Sequence, residues 1–460
     1  MRDVELGTEL RGRRALRLLV QAHVRARGTG DVGPAVVLRV PGVGRPRVLL
    51  RQRRPRRLPF LTIFGRIGIE RTSYAAGRGA SVCPLDEDLQ LPARAYSHVV
   101  QYRLVKRAVQ STFRESADGL RAETGERTPV RSVEAVLADG SVDFDAFYAT
   151  RRRARLGRSG PILVVAIDGK GIPMVKPEKA LRVVRRGKGE KANKKRMATV
   201  GTVFTMGPRV RTPLQVVQSL FKEVPKRRRR DRHGGPQQKR VWASLLSGKD
   251  AFVQDMVAEV ERRDPRRRRT RVVLCDGERA LQYRMERALP EAIAVLDFIH
   301  ALEKLWLTAY VFHPEGSPEA QEFVRDRALR VLEGRVSQVV GGLRQMAKKH
   351  RIRGAQRKTL LGVASYLGRN RARMRYHEYL AKGLPIASGC VEGACKNLVK
   401  DRMERSGMRW SLRTAEAMLR MRAVYLSGDL DEYWDFHVAR EQERLYGGRV
   451  WRPVKGPAKR

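Results

Sequence analysis

The stretch Pro161-Ile162-Leu163-Val164-Val165-Ala166-Ile167-Asp168-Gly169-Lys170 places a run of apolar residues directly before a carboxylate. A run of this length, bounded by Pro and Gly, predicts a strand that is buried on both faces, as in the middle of an α/β sheet. Asp168 would then lie where the buried strand opens to solvent. The sequence therefore predicts a polar site at this end of the sheet.

Two later segments carry further acidic residues. Arg271-Val272-Val273-Leu274-Cys275-Asp276-Gly277 predicts a second buried strand that ends in Asp276, and Ser388-Gly389-Cys390-Val391-Glu392-Gly393-Ala394-Cys395-Lys396 predicts a helix that bears Glu392. Mg²⁺ prefers oxygen ligands, so two strand-end aspartates and one helical glutamate would meet at a metal site. The alternatives are a turn or cap role for each aspartate and a surface pair of Glu392 with Lys396, four residues further on.

The charge of the chain indicates the class of its partner. In 460 residues, Lys and Arg number 96 against 48 Asp and Glu, which gives a net charge of +48, while 42% hydrophobic residues suffice for a core. Such a balance predicts a polyanionic partner, with nucleic acid as the first candidate. Ribosomal or histone-like proteins share this charge, but they are short and lack paired acidic strand ends.

Membrane and secretory signals are not found in the sequence. It contains no run of eighteen apolar residues, and its first residues, Met1-Arg2-Asp3, begin no hydrophobic signal core. The four cysteines lack the CxxC spacing of a zinc site, which also argues against a disulfide framework. We therefore expect a cytoplasmic, nucleoid-associated protein that does not contact a membrane.

The N-terminal third predicts a DNA-binding region. Residues 1–58 form a basic segment of uncertain structure, interpreted as weakly structured or as an arm on DNA, and 59–96 form a small β/turn region. Within 97–150, helices capped by Ser97 and Ser116, a break at Gly125 and a third helix after Pro129 give a helix-turn-helix pattern. An ordinary helical bundle is the alternative. The candidate DNA contacts that flank the turn are Arg121, Arg127 and Arg131.

The rest of the chain predicts a catalytic core with a helical insertion. Between 160 and 300 the order is strand, meander, helix, strand, helix and strand, with charged loops at 176–195 and 222–240 and an amphipathic helix from Trp242 to Val260. This is the order of a ribonuclease H-like (retroviral-integrase-like) α/β sheet. An all-α insertion at 301–384, final core helices at 385–428 and a basic tail at 429–460 complete the chain. We expect the basic cluster at 369–375 to line a DNA channel, unless the insertion only stabilises the domain.

Several blocks together resemble a known family. They are Ala166-Ile167-Asp168-Gly169-Lys170-Gly171, Leu274-Cys275-Asp276-Gly277, Leu296-Asp297-Phe298-Ile299-His300-Ala301, the segment 388–396, and Asp401-Arg402-Met403-Glu404-Arg405-Ser406-Gly407-Met408-Arg409-Trp410-Ser411. On these blocks the chain resembles bacterial insertion-sequence transposases of the DDE type, and most closely the ISKra family. The resemblance extends from about residue 62 to 428, and the first 58 residues depart from it.

The resemblance implies roles for individual residues. Asp168, Asp276 and Glu392 correspond to the catalytic triad that binds Mg²⁺, or Mn²⁺ in its place. Asp297 and His300 resemble a signature that shapes the site, although a buried or helix-capping histidine is an equal alternative for His300. The residues expected to contact DNA are Lys396, Arg402, Arg405, Arg409 and Trp410, because Arg binds phosphate bidentately and Trp can stack on an unpaired base. Core packing is the alternative for Trp410.

The function expected from the resemblance is DNA transposition. The protein would bind the terminal inverted repeats of an insertion sequence, cleave the DNA ends with two divalent metal ions and transfer the 3′-hydroxyl ends to target DNA, as a homo-oligomer on double-stranded DNA. One alternative is an inactive or domesticated DNA-binding protein that retains the fold. Another is a ribonuclease H-like nuclease, which would require neither an element nor the helical insertion.

Overall fold

The computed structural model of the protein describes residues 1–39, 45–76, 81–151, 159–175, 195–223, 235–387, 389–405 and 407–454. The chain divides into two compact units, of which the first comprises Met1–Thr150 with Gly428–Arg460 and the second Arg151–Ser427. Residues 176–194 of the first predicted charged loop and residues 224–234 of the second lie outside the described residues. Among the described helices, none is long and apolar enough to cross a membrane.

The first unit combines small sheets with a group of helices. Its elements are α1 (Arg2–Ala26), β1 (Ala35–Arg39), β2 (Arg47–Arg51), β3 (Arg56–Thr62), β4 (Gly65–Arg71), β5 (Tyr74–Ala75), β6 (Ser81–Val82), α2 (Pro84–Asp88), α3 (His98–Ala108), α4 (Phe113–Thr124), α5 (Val130–Gly140), α6 (Phe144–Thr150), α18 (Leu430–Leu445) and β12 (Val450–Pro453). One sheet has the order β12-β1-β2-β5-β6, and β3 pairs with β4 in a separate antiparallel hairpin. The hairpin overlaps the small β/turn region that the sequence predicts at 59–96.

The prediction that residues 1–58 are weakly structured is wrong. A 25-residue helix, α1, begins at Arg2 and is followed by strands β1 and β2. The helix is held because Val20 and Val24 pack on a core that contains Phe60, Ile67 and Ile69 of the hairpin. Several apolar residues of α1, including Leu10, Leu18 and Leu19, are exposed, so the apolar positions that anchor the helix do not stand out from the sequence as a pattern.

The predicted helices between 97 and 150 are present, with one change of boundary. Ser97 caps α3 by accepting a hydrogen bond from the Val100 backbone N–H, and α5 begins directly after Pro129, as the sequence indicates. The cap of α4 is Thr112 rather than Ser116. Thr112 and Glu115 form a reciprocal capping box, which sets the start of the helix one turn earlier. The helix ends at Gly125, whose φ is +76°.

The C-terminal part of the first unit corrects the prediction of a basic tail at 429–460. Residues 430–445 form α18, in which Tyr433 and Trp434 are buried, and β12 pairs antiparallel with β1. The hydroxyl of Tyr433 donates to the carbonyl of Gly140 at 2.6 Å. These aromatic contacts give the segment a packed position in the first unit.

The second unit contains a five-stranded sheet and helices. Its elements are β7 (Ile162–Ile172), β8 (Arg196–Met206), α7 (Pro213–Leu220), β9 (Gln237–Ser244), α8 (Lys249–Arg263), β10 (Thr270–Cys275), α9 (Arg279–Ala288), β11 (Ile293–Leu296), α10 (Phe298–Ala309), α11 (Pro318–Leu332), α12 (Val336–Lys349), α13 (Gly354–Asn370), α14 (Tyr376–Ala381), α15 (Gly389–Ala394), a π-helix (Cys395–Lys400), α16 (Asp401–Met403) and α17 (Leu412–Leu426). A short 3₁₀ turn, Arg371–Arg373, follows α13. The helices from α10 to α14 confirm the predicted helical content of 301–384.

The sheet of the second unit has the strand order β11-β10-β7-β8-β9. β7, β10 and β11 run parallel to one another, whereas β8 is antiparallel to both β7 and β9. The first six residues of β7 are buried, which confirms the strand predicted from the apolar run. The sheet therefore brings the carboxyl ends of three parallel strands to one edge.

Strand β9 corrects the interpretation of residues 237–245. Residues 237–240 were predicted to belong to the charged loop at 222–240 and Trp242 to a helix, whereas all of these residues lie in β9 and the helix begins only at Lys249. The charged position Arg240 is buried because its guanidinium forms an ion pair with Glu259 of α8 at 2.5 Å and lies 4.5 Å from the ring of Trp242. Because one buried position of β9 is an ion-paired arginine, the sequence of β9 does not show the apolar pattern that predicts a buried strand.

Candidate functional site

Three aspartates lie at equivalent positions of the three parallel strands of the second unit: Asp276 and Asp297 directly follow β10 and β11, and Asp168 lies within β7, which continues to Ile172. The register of β7 and β10 pairs Ile167 with Cys275, so Asp168 and Asp276 are the next positions on neighbouring strands. Cys275 is also paired with Leu296 of β11, which makes Asp297 the next position on the third strand. Because adjacent strands lie about 4.8 Å apart, the three residues form a row across the sheet at the level where β10 and β11 end.

Asp168 accepts hydrogen bonds at both of its carboxylate oxygens. The backbone N–H of Gly169 donates to Oδ1 at 2.6 Å, and the thiol of Cys395 donates to Oδ2 at 3.2 Å. Burial raises the pKa of the Cys395 thiol, and the negative charge of Asp168 raises that pKa further. The thiol is therefore protonated at neutral pH, and Cys395 acts as a donor that orients Asp168.

Asp276 begins a tight turn that is closed by a helix distant in sequence. Its Oδ1 accepts a hydrogen bond from the backbone N–H of Glu278 at 2.8 Å, and its carbonyl accepts one from the hydroxyl of Tyr366 at 2.7 Å. Gly277 follows with φ +95°, and a Cβ atom there would lie 2.6 Å from the Tyr366 hydroxyl oxygen. Burial, and next the charge of Asp276, raise the pKa of Tyr366. Tyr366 thus fixes the strand end from α13.

Asp297 and His300 differ in their surroundings. Asp297 is buried and caps α10, because its Oδ1 accepts a hydrogen bond from the backbone N–H of Ile299 at 2.7 Å. His300 is half-buried, and its Nδ1 lies 3.2 Å from Oε2 of Glu303 on the same helix. Asp297 therefore holds the start of α10 beside the strand-end row, in keeping with a shaping role, while His300 lies on the first turn of that helix.

Glu392 lies on α15, which packs against β7 and β8. Its side chain is exposed, and three residues later Cys395 contacts Asp168. In the part of the chain that the structure describes, no three or more His, Cys, Asp and Glu side chains are arranged as a metal-binding group. The sheet register therefore makes Asp168 and Asp276 neighbours. The helical segment that carries Glu392 contacts Asp168 through the hydrogen bond from Cys395.

The donor atoms available near this edge suit a hard cation. Asp168, Asp276 and Glu392 carry carboxylate oxygens, which are the ligands that Mg²⁺ and Mn²⁺ prefer. The neighbouring Cys395 is neutral and already donates its proton to Asp168, so it is not a thiolate ligand. The chemistry of the donor set thus fits magnesium better than zinc.

The predicted DNA contacts on the last core helices divide into two groups. Arg402 is 1% exposed and its guanidinium carbon lies 5.1 Å from the ring of Trp410, which is 4% exposed. The indole N–H of Trp410 donates to the carbonyl of Met403 at 3.0 Å. We therefore assign Arg402 and Trp410 to packing, because buried side chains cannot reach a phosphate in this conformation. The predicted contacts whose side chains are exposed are Lys396, Arg405 and Arg409.

The basic cluster at 369–375 is likewise divided. Arg373 forms a bidentate ion pair with Glu286 of α9, and Arg371 donates to the hydroxyl of Ser337 at 3.1 Å. Arg369 is exposed on the last turn of α13. The pair between Arg373 and Glu286 links the helical segment to the sheet domain, so Arg373 has a structural function that the sequence analysis did not anticipate.

The predicted contacts in the first unit lie on the surface. Arg121 is in the last turn of α4, Arg127 in the turn that follows and Arg131 in the first turn of α5, and all three side chains are exposed. Arg66 of the hairpin forms an ion pair with Glu126 of the same turn at 3.3 Å. The turn between α4 and α5 is therefore a basic surface that also receives residues of the hairpin.

Two residues of the site were missed by sequence reasoning. Cys395 was considered only as one of four cysteines without the spacing of a zinc site, although its position three residues after Glu392 could have indicated a role. Tyr366 gave no signal, because it is separated from Asp276 by ninety positions and belongs to an ordinary helical pattern. No protein-family model matches the chain, and no curated protein sequence matches it.

Proposed function

We propose that the protein is a DDE transposase with a ribonuclease H-like core, which binds the terminal inverted repeats of an insertion sequence, cleaves the DNA ends and joins the 3′-hydroxyl ends to target DNA. The observation that carries the proposal is the register of the adjacent parallel strands β7 and β10, which makes Asp168 within β7 and Asp276 directly after β10 neighbouring positions. The strand order, with a parallel half and an antiparallel half on either side of β7, supports it. The net charge of +48 supports a DNA substrate.

The proposed chemistry assigns distinct tasks to the residues. Asp168, Asp276 and Glu392 would hold the divalent ions, which when bound activate an attacking oxygen and stabilise a leaving oxygen. Gly169 and Cys395 orient the Asp168 carboxylate, while Tyr366 fixes the backbone at Asp276. The exposed cations Lys396, Arg405 and Arg409 would bind phosphates of the DNA flanks. Water attacks in the cleavage step, and the released 3′-hydroxyl attacks in the joining step.

The test is a cleavage and joining assay with the full chain. The substrate is a duplex that carries the inverted repeats found beside the gene, and the reaction is run with Mg²⁺, with Mn²⁺ and with a chelator. We expect metal-dependent nicking at the repeat ends and transfer of those ends into a plasmid, both of which are lost in Asp168→Asn. Cleavage without joining would indicate a nuclease, and duplex binding without either reaction would indicate a DNA-binding protein that retains the fold.

A further inference from the structure

A groove in the first unit lies between α1 and the β3–β4 hairpin. The two elements are joined by apolar packing of Val20 and Val24, and by two hydrogen bonds between the Gln21 side chain and the Gly68 backbone. Gln21 donates from Nε2 to the carbonyl of Gly68 and accepts at Oε1 from its N–H, both at 2.9 Å. Because each backbone group of Gly68 is engaged, the helix is fixed in register along the strand.

The groove has a volume of about 570 Å³ and is strongly basic. Four arginines line it, whereas none of its described lining residues is acidic: Arg17, Arg25, Arg57 and Arg66. Arg66 forms its ion pair with Glu126, but within the described ranges Arg17, Arg25 and Arg57 have no carboxylate in ion-pair distance. Like charges this close repel one another in the free protein, so an anion in the groove would stabilise the arrangement.

Glycine at position 68 permits the close approach of one of these cations. A Cβ atom at Gly68 would lie 2.8 Å from Nε of Arg57 and 3.1 Å from one of its terminal nitrogens. The guanidinium of Arg57 therefore lies directly over the strand, on the side that faces the groove. The carbonyl of the same glycine accepts the hydrogen bond from Gln21. Gly68 therefore anchors α1 and also leaves space for the Arg57 guanidinium.

The groove opens beside the turn between α4 and α5. Arg66 reaches Glu126 in that turn, and a Cβ atom at Gly65 would lie 3.5 Å from the carbonyl oxygen of Thr124. Arg13 of α1 extends toward the carbonyl of Ala122, with the two atoms 3.4 Å apart. The basic surface of the α4–α5 turn therefore continues into the groove without leaving the first unit.

We propose that this groove binds the phosphate backbone of duplex DNA next to the segment contacted by the α4–α5 turn. The inference rests on the proposed function for the choice of DNA among polyanions. From Arg17 to Arg25 the helix rises roughly 12 Å, which is the axial length of three to four phosphates on one strand. A row of arginines on this scale matches a linear polyanion and gives positioning contacts that carry no sequence information.

The test measures the salt dependence of DNA binding by the full chain in the presence of a chelator, so that cleavage plays no part. The probe is a random-sequence duplex of roughly 40 base pairs, or about four helical turns. Binding is measured between about 50 and 200 mM salt for the wild type and for the triple variant Arg17→Gln, Arg25→Gln, Arg57→Gln. Each phosphate contact contributes about one to the slope of log affinity against log salt, so the triple variant should lose about three.

Two matched variants separate the groove from general charge. The control triple Arg39→Gln, Arg47→Gln, Arg452→Gln removes the same charge from exposed positions of β1, β2 and β12, and it should leave the slope nearly unchanged. Replacement of the three groove arginines by Lys should keep most of the slope. If the Gln triple lowers the unfolding temperature, the single variant Arg25→Gln replaces it, because Arg25 lies on the exposed last turn of α1. Its slope of log affinity against log salt should still fall by about one.

Several outcomes would overturn the inference. It fails if the groove triple and the control triple lose the same slope, or if single-stranded RNA displaces the duplex from the groove at equal phosphate concentration. A wild-type protein that binds no duplex at all would overturn the proposed function together with the inference. Normal binding and cleavage by the groove triple would overturn the inference alone.

Discussion

The strand ends of the second unit and the helical segment at 389–410 carry charged residues that follow different rules. At the strand ends, Asp168, Asp276 and Asp297 occupy equivalent positions because the sheet register places them there. In the helical segment, residues of one sequence block differ in exposure, with Arg402 buried and Arg409 exposed. The position of a side chain beside a buried strand thus follows from the local sequence. The exposure of a side chain in the helical segment depends instead on contacts with residues that are distant in the chain.

The largest expected effect is a difference in DNA cleavage between variants of two aspartates in the row, Asp276 and Asp297. Asp276→Asn removes a carboxylate that would bind a cation, so cleavage should fall by about a thousandfold or more. Asp297→Asn keeps the N-cap of α10, because Asn caps helices as well as Asp does, and should retain most of the cleavage. The measurement is the rate of Mg²⁺-dependent nicking of repeat-bearing DNA.

The control for this pair is the variant Asp297→Ala, which removes the cap. It should lower the free energy of unfolding by about 1–2 kcal/mol, whereas Asp276→Asn should leave unfolding nearly unchanged. Equal losses of cleavage in Asp276→Asn and Asp297→Asn would mean that both aspartates belong to the reacting site. The row would then have three functional members rather than two.

The second effect concerns the buried arginine of the helical segment. Arg402→Ala removes a side chain that is 1% exposed and packs over Trp410, so the free energy of unfolding should fall by about 3 kcal/mol. Arg409→Ala, at an exposed position, should change it by less than about 0.5 kcal/mol. Denaturant unfolding of both variants gives the comparison. Equal stability of the two would place the Arg402 side chain at the surface.

Much of the sheet could be predicted because buried parallel strands have a simple signature. The apolar runs before Asp168 and Asp276 are continuous, and both became strands. β10 ends directly before Asp276 as expected, whereas β7 continues past Asp168 to Ile172 because Asp168 to Ile172 remain paired with β8. Strand β9 was missed because Arg240 is buried in an ion pair with Glu259, a compensation that no local pattern reveals. The sequence thus predicts strands that are apolar throughout and misses those whose charges are neutralised by another element.

The helical contacts with the site were harder to predict. The hydrogen bond from Tyr366 to the Asp276 carbonyl depends on how α13 packs, and periodicity places Tyr366 only on a helix. The same limit applies to α1, whose anchoring residues Val20 and Val24 pack on the hairpin core while other apolar residues of the helix, such as Leu18 and Leu19, are exposed. In both cases the missing information is tertiary packing, which decides the exposure of residues whose secondary structure is already clear.

A third prediction tests whether Cys395 of the helical segment changes the affinity of Asp168 for a divalent cation. Cys395→Ala removes the thiol that donates to Oδ2 of Asp168, which leaves that oxygen available to a cation. The Mg²⁺ concentration for half-maximal cleavage should fall by about fivefold, equivalent to roughly 1 kcal/mol for the lost hydrogen bond. Cys395→Ser keeps a donor at this position and should require at least as much Mg²⁺ as the wild type. A shift of the same size in both variants would exclude competition between the donor and the cation.

The smallest effect concerns the exposed arginine at 409, which is the counterpart of the buried Arg402. If Arg409 contacts a phosphate, Arg409→Gln should reduce the slope of log affinity against log salt by about one, equally for all DNA sequences. Between about 50 and 200 mM salt this corresponds to roughly a threefold smaller loss of affinity. Arg409→Lys retains the charge and should preserve the slope, although it loses the bidentate geometry of the guanidinium. A slope that is unchanged in Arg409→Gln would remove Arg409 from the DNA surface, and Lys396 and Arg405 would then be the remaining exposed candidates for phosphate binding in the segment.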